Sequence, residues 1–424
     1  MNEAFISYLW KHRCFSQELI TESGEPLAVL CPGDCNSDSG PDFFNARIRI
    51  GNTTWAGNVE IHVQASDWYR HGHQGDPVYD HAILHVVYEA DRQVFHENGE
   101  PMQTLVVRHQ FPGWIYERYL IMMQNKQWIP CMNQLSADVD YGFTLWAPAL
   151  AVERLEGKSG NIRMLFTGCG SNWDEAIYQH LAGSFGFKIN GLPFELLAKS
   201  LPVKVIRHYV ESRFQLEALL FGQAGLLHNS FEDEFPGKLY NEYQFLRAKH
   251  HLTPISGSLW RFLRLRPSNF PPIRISQFAC FLYSTRGRLF ELMDERTLTG
   301  ISGNLKIRAS DYWDTHYMFD KPAPRLPKIL GGACSNLLII NGFAPFLFFY
   351  GRQKDQPGVC EGALNLLENT PGENNLQIEY WKKLGFPVDN AMQTQALLHL
   401  KQSYCDKRQC LDCRIGNRLL ADQG

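Results

Sequence analysis

No hydrophobic run in this chain approaches the roughly 20 residues that a membrane span requires, so no membrane partner is expected. The N-terminus, MNEAFISYLWKHRCF, lacks both the basic-then-apolar profile and the small-residue cleavage site of a secretory signal. The expected location is therefore the cytoplasm. GxxxxGK(S/T) is absent, which leaves no NTP-driven helicase step. GQAGLL (222–227) and GCGSNW (168–173) are too degenerate to serve as phosphate loops, and no GxSxG elbow occurs. Repeats of fixed length and low-complexity tracts are also missing. The eleven cysteines are scattered and odd in number, which does not describe a disulfide framework.

What is present is ordinary globular composition, 44% hydrophobic and 20% charged over 424 residues, with room for two or three domains. The net charge of −3 is uninformative, but its distribution is not. Residues 1–100 hold 6 Lys and Arg against 15 Asp and Glu; residues 204–288 hold 12 against 6. An acidic module before a basic one fits a metal site beside a phosphate-binding surface. Uneven surface decoration explains it equally well.

The richest stretch is GPDFFNARIRIGNTTWAGNVEIHVQASD, 40–67. FFNARIRIG alternates Phe44, Ala46, Ile48 and Ile50 with Asn45, Arg47 and Arg49, the pattern of a half-buried strand. Asp42 stands at its head. In the next strand, TWAGNVEIHV, Glu60 and His62 are two residues apart and share a face. Glu60 lies among Val59, Ile61 and Val63, where an unpaired charge is costly, and Gly57-Asn58 before it suggests crowding or a bulge. Asp42 and Glu60 are candidate ligands for Mg²⁺ or Mn²⁺, with His62 orienting a water.

This spacing resembles the PD-(D/E)xK nuclease signature: Pro41-Asp42, then 17 residues, then Glu60-Ile61-His62, with histidine where the superfamily usually has lysine. Several longer segments are similar to a bacterial family known only as a domain of unknown function (number 2851). They are YLWKHRCF (8–15), WAGNVEIHVQASDWYRHGHQGD (55–76), YDHAILHVVYEAD (79–91), WRFLRLRPSNFPPIRISQ (260–277) and QALLHLKQSYCDKRQCLDCRIGNRLL (395–420). The nuclease resemblance implies a restriction-endonuclease-like core, and Glu18, with Glu22 as the alternative, as the helical carboxylate that often completes such sites.

The expected fold is α+β. A helix over 3–22 precedes strands near 27–33, 43–51, 54–63, 82–90 and 103–111, giving a mixed sheet with flanking helices. From about 112 onward the periodicity is helical. The expected domains are a nuclease-like core (1–111), a basic helical region that would bind nucleic acid (112–330), and a C-terminal helical region (331–424). The apolar stretch 324–355, broken by glycine and proline, suits a buried helix.

Three further clusters stand out. His71, His73, Asp76 and Asp80 match no strong metal spacing, so phosphate contact or support for His62 is expected of the two histidines. Cys405, Cys410 and Cys413 form C-x4-C-x2-C, a metal knuckle that would hold zinc or an iron–sulfur cluster. A fourth ligand must come from His399, Cys360, Cys334 or Cys131. Arg261, Arg264, Arg266 and Arg274 are the densest basic run, suited to DNA or RNA phosphates, although arginine stems could equally cover apolar surface.

Overall fold

A computed structural model describes residues 1–15, 18–36, 38–135, 139–294 and 297–421. By compactness the chain forms two units, Met1–Gly142 with Lys401–Gly424, and Phe143–Leu400. The divisions expected at 111 and 330 thus fall inside units. The C-terminal segment belongs with the first.

The first unit is built on a seven-stranded mixed sheet. Helix α1 (Glu3–His12) starts at Asn2, whose side chain accepts the Phe5 N–H at 3.0 Å. It ends far short of residue 22, because Arg13 turns left-handed (φ 52°) and the Cys14 N–H closes back on the Leu9 carbonyl. Part of the expected extension, 16–17, lies outside the described residues. The strands are β1 (Leu19–Ile20), β2 (Pro26–Cys31), β3 (Asp34–Cys35), β4 (Phe43–Ile50), β5 (Thr53–Gln64), β6 (Ala82–Glu89) and β7 (Thr104–Val106). Their order is β1-β2-β4-β5-β6-β7, with β3 also on β4. Pairs up to β4–β5 are antiparallel; β5–β6 and β6–β7 are parallel.

A parallel pair needs a crossover, and residues 65–81 supply it through α2 (Asp67–Arg70) and two short 3-10 turns. One sheet face is apolar. Val59, Ile61, Leu84, Val86 and Leu105 pack there with Ile6 and Trp10 of α1. On the other face the crossover covers Val87 and Ala82 with Trp68 and Tyr79. Helix α3 (Gly113–Gln124) and the C-terminal helix Arg414–Ala421 complete the unit and touch each other.

The second unit is helical around one large core. Its helices include Trp173–Phe185, Arg213–Gln223, Pro271–Ser284 and Pro357–Asn369. The helix Gly332–Gln353 is long and apolar enough to cross a membrane by length and composition. Here Leu338, Ile339, Ile340, Phe343 and Phe346 are fully buried in that core.

Candidate metal centre

Parallel register sets Glu60 opposite His85 and His62 opposite Val87, so Glu60, His62 and His85 occupy the face beneath the crossover. β5 and β6 come close there. A Cβ on Gly57 would stand 2.6 Å from the His81 carbonyl oxygen and 2.4 Å from Ile83 Cγ2. The β5–β6 register shifts directly afterwards, between Asn58 and Val59. The extra residue is Ile83 of β6, which presses on Gly57, the crowding that Gly57-Asn58 suggested.

The crossover delivers the other donors. His71 closes the single turn of α2, and Gly72 then adopts a left-handed conformation (φ 80°) that turns His73 back towards the sheet. His73 stacks on Tyr79 with ring centroids 3.9 Å apart and meets the edge of Trp68.

The outcome is a nitrogen-rich cluster. Ligand atoms of His62, His71 and His73 lie within 4.8 Å of one another. His62 Nε2 is 3.1 Å from His71 Nδ1, and Glu60 Oε1 is 3.6 Å from His62 Nε2 and 3.2 Å from His73 Nε2. Donors bound at about 2.1 Å around one ion sit roughly 3.0–3.4 Å apart, from octahedral to tetrahedral geometry. The observed separations are close to that range. His73 Nε2 is buried and makes no well-angled hydrogen bond, even to Glu60, which leaves its lone pair for a cation. His62 Nδ1 lies 2.8 Å from His85 Nε2, the outer partner a ligating imidazole needs to fix its tautomer. His71 is exposed, so the cluster is open on one side.

The electrostatics are those of a dry, crowded site. Burial, then the neighbouring imidazoles, pushes His62 down to about 2; burial takes His85 to about 3. Both rings are neutral, as ligands must be. Burial and the charge of Asp42 push Glu60 up to about 8, and burial raises Asp42 to about 6. The two acids are cross-linked through backbone. The Asp42 N–H donates to Glu60 Oε2 at 3.1 Å, and the Ile61 N–H donates to Asp42 Oδ2 at 2.9 Å.

Among the residues expected at this site, Asp42, Glu60 and His62 come together. Asp42 reaches the nitrogens through Glu60 and is not itself one of the clustered donors. His71 and His73 stand in the cluster itself, not behind it. Glu18 does not join. It is exposed, outside any helix, just before β1. The carboxylate that α1 does supply is Glu3, whose charge raises both Asp42 and Glu60. His85 was missed as a site residue, because LHVVY reads as a packed strand.

The basic run is divided. Arg261, Arg264 and Arg266 are exposed, but Arg274 is 4% exposed. Its guanidinium bonds Gln277 Oε1 at 2.7 Å, Asn269 and Cys334 Sγ, and lies over the Phe187 ring. Arg274 is a core residue, not a phosphate contact. Trp260 is likewise buried, its indole N–H on the Ala224 carbonyl.

Residues 3–376 match a family described as protein of unknown function (DUF2851). The chain belongs to that family. No curated protein and no solved structure matches it.

Proposed function

We propose that the protein is a metal-dependent phosphodiester hydrolase acting on nucleic acid, with a restriction-endonuclease-like core around β4–β6. The observation that carries this reading is the approach of Glu60 to two members of a three-histidine cluster, at ligand-to-ligand distances. Glu60, His62, His71 and His73 would hold the ion. Nitrogen-rich donors suit Mn²⁺ or Zn²⁺ better than Mg²⁺. A cation bound there would neutralise phosphate charge and acidify an attacking water. His85 would keep His62 in the Nδ1–H tautomer, leaving Nε2 as the donor atom. Asp42, beside Glu60 and titrating nearer neutrality than a free carboxyl, would accept the proton of the water. Exposed His71 marks the side from which substrate enters. Arg261, Arg264 and Arg266 would meet phosphates.

The imidazole-rich cluster also favours a second reading, a hydrolase of small phosphoesters. One panel tests both. Full-length protein is assayed with Mn²⁺, Zn²⁺ and Mg²⁺ on single-stranded, duplex and branched nucleic acids, and on a chromogenic small phosphodiester. The expected result is Mn²⁺- or Zn²⁺-dependent cleavage of a nucleic acid, lowered roughly 100-fold in Glu60→Gln and His73→Ala. Cleavage of the small ester alone supports the second reading. No metal-dependent cleavage of any substrate overturns both and leaves a catalytically silent nucleic-acid-binding or scaffold protein; full activity in Glu60→Gln overturns both assignments of catalysis to this site.

A further inference from the structure

Cys405, Cys410 and Cys413 lie in the C-terminal segment that folds back into the first unit. Of the four candidates for a fourth ligand, His399, Cys334 and Cys360 belong to the second unit. Each is engaged there, with Glu153, Arg274 and the Phe348 carbonyl respectively. Cys131 alone shares the first unit with the other three. It sits just beyond α3, in a loop closed by the Asn125 side chain on the Pro130 carbonyl at 2.8 Å.

The two stretches are bound together from both sides. Arg408, inside the cysteine loop, donates to the carbonyls of Met122, Met123 and Asn125. Arg118 of α3 donates to the Leu419 carbonyl at 3.1 Å, and Lys401 lies over the Trp128 ring. Between these anchors lie the four cysteines, each near enough to the other three for their ionisation to be coupled, and burial raises all four thiols. Cys131, Cys410 and Cys413 are buried, and none of the four is in a disulfide. Buried thiols outside any disulfide are the donors that a closed metal site uses.

Spacing separates the possible occupants. Among the described residues the three histidines are the one set of His, Cys, Asp or Glu donors gathered within 4.8 Å. No three of the four sulfurs are that close. A zinc ion with Zn–S bonds of about 2.3 Å holds its thiolates about 3.8 Å apart. A polynuclear centre spreads them by its own width, since its irons share them out.

We propose that Cys131, Cys405, Cys410 and Cys413 ligate an iron–sulfur cluster that clips the C-terminal segment to the loop after α3. Loading is ligand exchange without change of oxidation state: four S–Fe bonds to the cysteines form as four bonds from iron to the thiolates of the thiol carrier that delivers the cluster break, and the departing thiolates take up the four S–H protons. The role is structural and independent of the histidine site.

The test is iron, zinc and acid-labile sulfide analysis of full-length protein purified without air, with its visible spectrum before and after dithionite. Iron and sulfide in equal amounts, and a broad visible band bleached by dithionite, are expected. Cys131→Ser and Cys410→Ser should each lose at least tenfold of both, while Cys35→Ser, on exposed β3, keeps them. One equivalent of zinc without sulfide overturns the cluster, as does folded protein free of metal with four titratable thiols. Should the cysteine variants fail to fold, the sulfide content of the parent protein decides alone. Because sulfide cannot come from the histidine site, failure here is distinguishable from failure of the proposed hydrolase.

Discussion

At the scale of single residues, the site is governed by who holds a proton. Glu60 in the fold keeps its proton up to about 8, against an ordinary value of 4.5. Between those values the folded chain binds a proton that the unfolded chain has released, so folding stability falls as pH rises through that window. Asp42 acts likewise but finishes near 6. His62 and His85 run the other way: the fold rejects their protons, so their contribution grows with pH and is complete above the ordinary 6.5. Above 6.5, Glu60 is left as the dominant carboxyl. Metal-free protein should therefore lose thermal stability as pH rises from 6.5 to about 7 in unfolding scans with chelator, before Lys158, which burial lowers to about 7, begins to contribute the opposite slope. Saturating Mn²⁺ or Zn²⁺ should reverse the slope, because the ion binds the ionised carboxylate. Glu60→Gln should flatten the metal-free curve; an unchanged curve would place the proton elsewhere. His85→Leu gives a second check. It keeps every proposed ligand but removes the outer partner of His62, and should weaken metal affinity roughly 10- to 100-fold by calorimetry. Unchanged affinity would reduce His85 to packing.

At the scale of elements, the parallel pair β5–β6 and its crossover make the site. Gly57→Ala should destabilise the first unit by about 1–3 kcal/mol in denaturant titrations, since the His81 carbonyl is backbone and cannot swing aside. A neutral effect would mean that the strands part readily. The neighbouring strand β4 was legible because period-2 alternation survives burial on one face, whereas β5 and β6 are covered on both faces and carry unbroken buried runs. In β4, Ala46, Ile48 and Ile50 are buried as expected, and Phe43 replaces Phe44 because a bulge at left-handed Asn45 shifts the register. Gly57-Asn58 announced the second irregularity. The length of α1 was misread because its stop is a left-handed arginine, not a glycine. The convergence of His71 and His73 on His62 was hidden, since a crossover's path is set by tertiary packing of Trp68 and Tyr79 and not by donor spacing. Arg274 was misjudged for a similar reason: an arginine run cannot reveal which member is spent inside on Asn269 and Gln277.

At the scale of the whole molecule, the basic composition of 204–288 and the metal centre belong to different units. Arg261→Ala, Arg264→Ala and Arg266→Ala together should leave hydrolysis of a small phosphodiester untouched, should the protein show that activity. They should weaken nucleic-acid binding and lower the salt slope by roughly 0.9 for each phosphate that is no longer neutralised. An unaltered slope in fluorescence-anisotropy titrations would remove these arginines from the interface.

The first unit is discontinuous, and that has a consequence during synthesis. A nascent chain emerges from its N-terminus, and the acidic sheet with its histidines is made first. Its closing piece, from Lys401 onward, follows only after Phe143–Leu400 has been translated. At about 5–20 residues per second that delay is on the order of tens of seconds. Until it ends, the face of α3 that receives Leu419 and Arg408 stays open, available to chaperones. Truncated translation products would carry every proposed catalytic side chain and still lack the segment that locks their unit shut.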